Sequence, residues 1–284
     1  MKFDIHELKQ SAGSALERAG RPAKRLVLIF AAVNMALSIL TASLSGYLAQ
    51  RINDAVGLAG ASTRAGLAVL QILLSAVMNL VTIMWSTGYT SSMLEVYRGQ
   101  SPNPKGLTWG FRHWKSVLTA TLMMELKMLG FGIALAVGGT IVLSILRYTI
   151  LLSWITLLGL CVLTVWFVLR YRLTTYLVCD NPNLPGSWMP GESARIMKGK
   201  MWQFLRVDLS LWWYYLLIFL ASAFLYATTL LELARVQVSL SPMAMDALTV
   251  VGYGLVSFIL EVLFLNRVQL TYTAAYEALL LERE

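Results

Sequence analysis

Six long apolar stretches constrain the fold of this chain more than any other feature of its sequence. A helix needs roughly 20 consecutive apolar residues to cross a hydrocarbon core of roughly 30 Å. The chain has 284 residues, of which 57% are hydrophobic and only 13% are charged, and this balance excludes a water-soluble domain. The stretches are 26–48, 67–93, 117–145, 148–168, 205–231 and 248–265. The sequence therefore predicts a single all-α membrane domain over residues 1–284, a bundle of six transmembrane helices.

The third and fourth stretches are separated only by Leu146 and Arg147. Their combined length is too great for one crossing, because each crossing uses roughly 20 residues. We therefore expect two antiparallel helices joined by a tight turn at Arg147.

The distribution of lysine and arginine predicts how the bundle is oriented. Seventeen of the 23 Lys and Arg residues lie before the first stretch, after the second, after the fourth or in the C-terminal tail. Positive residues near helix ends stay preferentially in the cytoplasm. Both termini are therefore expected there, which requires an even number of crossings.

Residues 1–25 precede the first stretch and contain apolar residues near helical spacing at Ile5, Leu8, Ala12 and Leu16. This pattern predicts an amphipathic helix that lies on the inner membrane face. A solvated, positively charged segment that only fixes the topology would explain the same residues. The net charge of +8 favours anionic lipid headgroups as partners over nucleic acid, since the basic residues flank membrane helices.

Polar residues recur at one depth within the apolar stretches. Charged side chains inside a membrane are costly and mark candidate functional sites. Counting roughly 1.5 Å of rise per residue places them roughly 10–12 Å from the inner face, with Lys127 slightly deeper than Glu125. The residues at this level are Asn34, Asn79, Glu125, Lys127 and Glu261.

Two interpretations of this polar level stay open. In the first, it lines an inward-facing polar cavity, with Lys127 pairing with Glu125 or Glu261. In the second, the same groups form interhelical hydrogen bonds that hold the helices together without any ligand.

Residues 170–204 form the most distinctive charged segment, between the fourth and fifth stretches. Asp180-Asn181-Pro182 predicts a turn, and the residues after Pro190 predict a short helix at the inner interface. Asp208 is expected to open the fifth helix and to pair with Lys200 or Arg206. The residues expected to contact lipid headgroups are Arg195, Lys198, Lys200, Trp202 and Arg206.

A threefold pattern runs along the chain. Each odd-numbered stretch follows a segment rich in basic and aromatic residues, and each even-numbered one ends in a run rich in Tyr, Thr and Ser. The pattern would be three copies of an interfacial helix followed by a helical hairpin. Because membrane proteins commonly place Tyr, Trp and basic residues at interfaces, that preference alone also explains the pattern.

No motif for chemistry is recognisable. The sequence contains no zinc-protease helix, nucleophile elbow or phosphate-binding loop, and its two cysteines suggest neither a disulfide nor a metal cluster. We therefore predict a protein that is not an enzyme and that uses no cofactor.

The charged segment also carries a family resemblance. The run Asp180-Asn181-Pro182, Ser193, Met197-Lys198-Gly199, Trp202, Phe204, Asp208-Leu209-Ser210 and Trp213 resembles the signature of the bacterial family called domain of unknown function 975. Residues 7–9 and 271–276 resemble the two ends of that family, so the resemblance spans nearly the whole chain. This chain departs from it in extra Gly, Trp and Pro residues before Ser193, and in the paired Trp212-Trp213. The resemblance implies a multi-pass protein of the bacterial cell membrane and transfers no catalytic residues.

Two classes of function follow as hypotheses. The first is a non-enzymatic scaffold or accessory subunit that binds a membrane-protein partner, or another copy of itself, through its amphipathic helices at the inner face. The second is a transporter or lipid-handling protein that uses the polar level as its cavity.

Overall fold

The computed structural model describes residues 4–55, 58–145, 150–222 and 242–282. These residues are helical with short connections and contain no strand. Five helices are long and apolar enough to cross a membrane, and a bent pair of helices supplies a sixth candidate. The predicted all-α membrane bundle is confirmed. The predicted turn at Arg147 and residues 223–231 of the fifth stretch lie outside the described residues.

Eleven α-helices are described in these ranges. They are α1 (Ile5–Asp54), α2 (Leu58–Tyr97), α3 (Trp109–Arg112), α4 (Trp114–Ile145), α5 (Ile150–Arg170), α6 (Thr174–Asp180), α7 (Met189–Ile196), α8 (Met201–Ser210), α9 (Trp212–Ser222), α10 (Pro242–Leu260) and α11 (Asn266–Leu281). A π-helical turn, Glu261–Leu265, joins α10 to α11, and 3-10 helices cover Pro104–Thr108 and Gly186–Trp188.

The long helices exceed what a membrane crossing needs. The 40 residues of α2 extend roughly 60 Å, about twice the thickness of a hydrocarbon core. Exposed large apolar side chains are concentrated in one stretch of each candidate membrane helix, and we call this surface the apolar belt. It covers residues 28–47, 69–77, 122–142, 154–168, 212–220 and 248–263. Because such side chains suit lipid, the belt marks the part of the bundle that the membrane surrounds.

The buried core lies beyond the belt, at one end of the bundle, which we call the packed end. Here the start of α1 and the end of α2 meet α6, α7, α8 and α11. Leu173, Met197, Phe204 and Tyr276 are almost completely buried in this region. Each large apolar side chain that is removed from water contributes about 1.5–3 kcal/mol, so the packed end supplies much of the stability that does not depend on lipid.

The N-terminal helix is present but packs differently from the expectation. Helix α1 begins at Ile5 and bends at Gly20, whose φ of 55° is unfavourable for residues with a side chain. Leu8 and Ala12, which we expected to face the membrane surface, are buried against α2 and α11. The apolar face of this segment therefore contacts protein.

The fifth apolar stretch is bent near its start. Helix α8 ends at Ser210, and α9 starts at Trp212 after a bend of 61°. Asp208 therefore lies in the last turn of α8, before the bend, and not at the start of a helix as expected. The sequence did not predict the bend, because apolar composition continues across it.

The Tyr-rich runs after the even-numbered stretches are all helical. They form the end of α2, helix α6 and helix α11, and these three segments pack together at the packed end. The Gln269 amide donates to Thr90 Oγ1 of α2 at 3.2 Å and to the Tyr176 hydroxyl of α6 at 2.9 Å. The segments before the odd-numbered stretches differ more, since α3 has only four residues.

Candidate functional site

Two members of the predicted polar level form a direct pair. The Asn34 amide of α1 donates to Glu261 Oε1 at 2.6 Å. Glu261 is the first residue of the π-helical turn, and both side chains are half-buried. They line a small cavity of about 80 Å³, together with Tyr214 and Tyr253. The membrane carboxyl group is thus bound by a neutral amide.

Glu125 and Asn79 line a different cavity of about 250 Å³ between α2, α4 and α6. Glu125 makes no hydrogen bond or ion pair with any residue that the structure describes. Its side chain is exposed, and so are those of Leu122 and Leu126 beside it on α4. Glu125 is therefore an unpaired carboxyl group at the edge of the apolar belt.

Lys127 does not pair with either glutamate. Its ammonium nitrogen lies 5.3 Å from the centre of the Tyr171 ring, in a cation–π contact between α4 and the end of α5. The predicted pairing with Glu125 or Glu261 was wrong. Residues two apart on a helix point about 200° apart, so Glu125 and Lys127 face different neighbours.

A third cavity of about 400 Å³ lies between α1, α2 and α10. Asn34 and Asn79 line it together with Ser38, Thr82 and other small polar residues. Asn34 and Asn79 each also line one of the other two cavities. Four of the five predicted residues, Asn34, Asn79, Glu125 and Glu261, therefore line three neighbouring cavities that share side chains, and their common depth in the membrane stays a prediction.

Polar residues of α11 form a line of contacts that sequence reasoning missed. The Asn266 amide donates to the Ala23 carbonyl at 3.2 Å, and its Oδ1 accepts from the Tyr89 hydroxyl at 2.7 Å. Tyr272 donates to Asp208, and Tyr276 donates to Asp180 at 2.6 Å. The signal was present in the sequence, because polar residues at 266, 269, 272 and 276 recur at the period of one helix face.

Two arginines form ion pairs that connect helices at the packed end. Arg98 binds Asp180 at 2.7 Å and Glu277 at 2.7 Å, so it joins the ends of α2, α6 and α11. Its hydrogen bonds to Asp180 and the charges of both acids raise the pKa of Arg98 above its ordinary value. Arg172 lies 3.2 Å from Asp208 and above the Tyr272 ring. Asp208 therefore pairs with Arg172. The pairing with Lys200 or Arg206 that the sequence predicted was wrong.

Ser193 explains why the charged segment has a fixed shape. It is completely buried, and its hydroxyl donates to the Arg170 carbonyl at 3.1 Å and accepts from the Leu173 amide at 3.2 Å. It thereby bonds both ends of the turn between α5 and α6. Met197 and Phe204 fill the core beneath it. Several residues that carry the family resemblance are thus structural.

The residues expected at lipid headgroups have different surroundings. Arg195 pairs with Glu192 at 2.7 Å, which raises the pKa of Arg195, and Lys200 pairs with Glu282. Lys198 is exposed. The Arg206 guanidinium lies 5.7 Å from the centre of the Trp202 ring, and Trp202 itself is exposed. Lys198, Trp202 and Arg206 keep the exposure that headgroup contact requires, whereas Lys200 is engaged within the protein.

Comparison with known proteins gives no relative. No family model matches the chain, and searches of curated proteins and of solved structures find no match. The resemblance to domain of unknown function 975 stays a prediction.

Proposed function

We propose that this protein is a non-enzymatic scaffold or accessory subunit that binds a partner membrane protein at its packed end. The observation that supports this proposal is a cleft of about 810 Å³ between α6, the Gly186–Trp188 turn, α7 and α11. Trp188 and Leu184 line the cleft and are 71% and 50% exposed. Exposed tryptophan beside a cleft is the kind of residue that dominates binding energy at protein interfaces.

The cleft is better suited to docking than the amphipathic helix faces. Those faces are buried in the core, as Leu8, Met197 and Phe204 show. The cleft has apolar walls, and its two acids are already paired, Asp180 with Arg98 and Glu192 with Arg195. An apolar helical segment of a partner therefore fits this cleft better than a basic peptide.

Photo-crosslinking tests this proposal. With a benzophenone amino acid in place of Trp188 in the full chain, in its native membrane, we expect one protein adduct that Leu184→Arg abolishes. The matched control places the same group at Trp202, which is also exposed but belongs to α8. Adducts of lipid only, an adduct of twice the chain's mass, or the same adducts at both positions would contradict the partner proposal.

The cavity that contains Glu125 favours a second candidate, a transporter or lipid-handling protein. An unpaired carboxyl group beside the apolar belt is expected where a ligand or water reaches it. The test is cysteine labelling in a chain that lacks Cys161 and Cys179. We expect Asn79→Cys to react with a charged thiol reagent, whereas Val77→Cys, exposed in the apolar belt of the same helix, does not. Equal protection of both positions would show a dry cavity and contradict this candidate.

A further inference from the structure

Helix α8 exposes an apolar face although its opposite face is already buried. Phe204 and Val207 are completely buried at the packed end. On the other side of the helix, Trp202 and Leu209 are 59% and 57% exposed, and Leu205 between them is half-buried. A helix at the surface of a water-soluble protein normally presents charged and polar residues to the solvent. The exposed face of α8 is therefore suited to an apolar neighbour.

This exposed face continues across the bend into the apolar belt. Helix α9 starts at Trp212, two residues after α8 ends, and exposes Trp212, Leu216 and Phe219. Together with positions 202, 205 and 209, these residues are three or four apart, which is the period of one helix face. The membrane that surrounds the belt is therefore the apolar neighbour nearest to the exposed face of α8.

The bend gives α8 the height of a headgroup layer. The helix has 10 residues and extends roughly 15 Å. Because its axis deviates by 61° from that of α9, it rises by only roughly 7 Å along the direction of α9. The headgroup layer on each side of the hydrocarbon core is roughly 5–7 Å thick. If α9 crosses along the membrane normal, all of α8 stays within that layer.

One positive charge accompanies the exposed face. The Arg206 guanidinium lies 5.7 Å from the centre of the Trp202 ring, and it forms no ion pair with any residue that the structure describes. The acid of the same helix, Asp208, is paired with Arg172. Arginine beside tryptophan is typical of the membrane interface, where the cation reaches phosphate and the ring lies at the apolar boundary. The face is therefore positive and favours anionic headgroups.

We propose that α8 lies in the membrane surface and binds the headgroups of anionic phospholipids. Trp202, Leu205 and Leu209 face the upper part of the lipid chains, and Arg206 contacts the phosphates. This contact goes beyond the docking of a partner and does not depend on it, because no residue of α8 lines the cleft beside Trp188.

Spin labels measure the depth of α8 in the membrane. The full chain without Cys161 and Cys179 is reconstituted into vesicles of phosphatidylglycerol and phosphatidylcholine. One labelled cysteine is placed in turn by Trp202→Cys, Leu205→Cys, Leu209→Cys, Trp212→Cys, Leu216→Cys and Phe219→Cys. Collisions with oxygen, which concentrates in hydrocarbon, and with a nickel chelate, which stays in water, report the depth of each label. Val77→Cys in the apolar belt is the lipid reference, and the exposed Glu17→Cys of α1 is the water reference.

We expect a shallow slope along α8 and a steep one along α9. From position 202 to 209 the depth should change by roughly 5 Å, against roughly 10 Å over the same number of residues from 212 to 219. A change of roughly 10 Å along both helices would make α8 part of the crossing and overturn the proposal. Chelate access at 205 and 209 equal to that of Glu17→Cys would overturn it by placing the face in water. Immobilised labels that neither reagent reaches would overturn it by showing a protein on this face.

Fluorescence quenching identifies the headgroup. A fluorophore on Leu209→Cys is quenched by brominated phosphatidylglycerol or brominated phosphatidylcholine in mixed vesicles. One arginine near the surface gives about a fivefold preference for anionic lipid, so we expect phosphatidylglycerol to quench at about a fivefold lower fraction. Arg206→Gln should remove this preference. Arg51→Gln, which loses a similar cation–π contact at the opposite end of α1, should keep it. Equal quenching by the two lipids, or an equal loss in both variants, would overturn the binding of anionic headgroups at α8.

Discussion

At the scale of single residues, the pair of Asn34 and Glu261 shows how a carboxyl group is accommodated beside lipid. The amide of Asn34 donates at 2.6 Å, and the surrounding cavity is small. A carboxyl group with a hydrogen-bond donor costs less than an unpaired one in this environment. Glu261 therefore has a structural partner, whereas Glu125 has none among the described residues.

This difference predicts that substitutions at Asn34 and at Glu125 change the stability by different amounts. Asn34→Leu removes the donor and leaves Glu261 unpaired, so we expect a loss of about 1–3 kcal/mol. Glu125→Gln removes no contact, and without ligand it should change stability by less than about 0.5 kcal/mol. Apparent unfolding temperatures in one detergent compare the variants. Equal losses in both would show that Glu125 is also structurally bound.

The sequence predicted which of these residues lie near one another better than it predicted their partners. A count along each helix grouped Asn34, Asn79, Glu125 and Glu261, and the structure places them around three neighbouring cavities. Pairing also depends on rotation about each helix axis, which a count of depth ignores. Lys127 was assigned to the glutamates for that reason, although it faces Tyr171.

At the scale of elements, the π-helical turn after α10 explains the contacts of α11. In an α-helix, residues five apart point about 140° apart, since each residue adds about 100°. A π turn closes hydrogen bonds between residues five apart and so brings both nearer one face. Glu261 and Asn266 consequently both bond to α1, through Asn34 and the Ala23 carbonyl. The residue types in this segment do not predict a π-helical turn.

The amphipathic segments, which are the start of α1 and the helices α7 and α8, show another limit of sequence reasoning at this scale. Their apolar faces were interpreted as membrane-facing because the pattern is amphipathic. An apolar face has the same pattern whether it contacts lipid or protein, since both neighbours are apolar. The burial of Leu8, Met197 and Phe204 in a shared core shows that these faces contact protein.

Close packing of α2 against the 3-10 helix Pro104–Thr108 gives a prediction for glycine. A Cβ atom at Gly88 would overlap the backbone carbonyl of Leu107, which cannot move as a flexible side chain does. We expect Gly88→Ala to cost about 1–3 kcal/mol through overpacking. Gly66→Ala in the same helix meets no neighbour within 4 Å, and it should stabilise by about 0.5–1 kcal/mol. Chemical unfolding of both variants tests this contact. Similar stabilities of the two variants would contradict it.

At the scale of the whole molecule, the bundle combines a membrane part with little internal burial and a well-packed end. In the most apolar segments of α2 and α4, 0% and 6% of the residues are buried, whereas one end of each of these helices lies in the core. Composition predicted the six apolar stretches. It did not predict that helices continue beyond them, because Tyr, Thr and Ser at the ends resemble loop residues. The core that those extensions form was therefore missed.

The same arrangement sharpens the prediction of orientation. Asp4 and Glu282 line one groove, so the two ends of the described chain lie together at the packed end. Most of the lysines and arginines also lie there, and we therefore expect this end to be cytoplasmic.

In a chain without Cys161 and Cys179, Lys198→Cys should react with an impermeant thiol reagent only in inside-out vesicles. Asp54→Cys, at the opposite end of α1, should react only in intact cells whose outer barrier is permeabilised. Both positions are exposed, so access to the reagent depends on the side of the membrane and not on burial. The reverse pattern would place the packed end outside, and the cleft beside Trp188 would then require an extracytoplasmic partner.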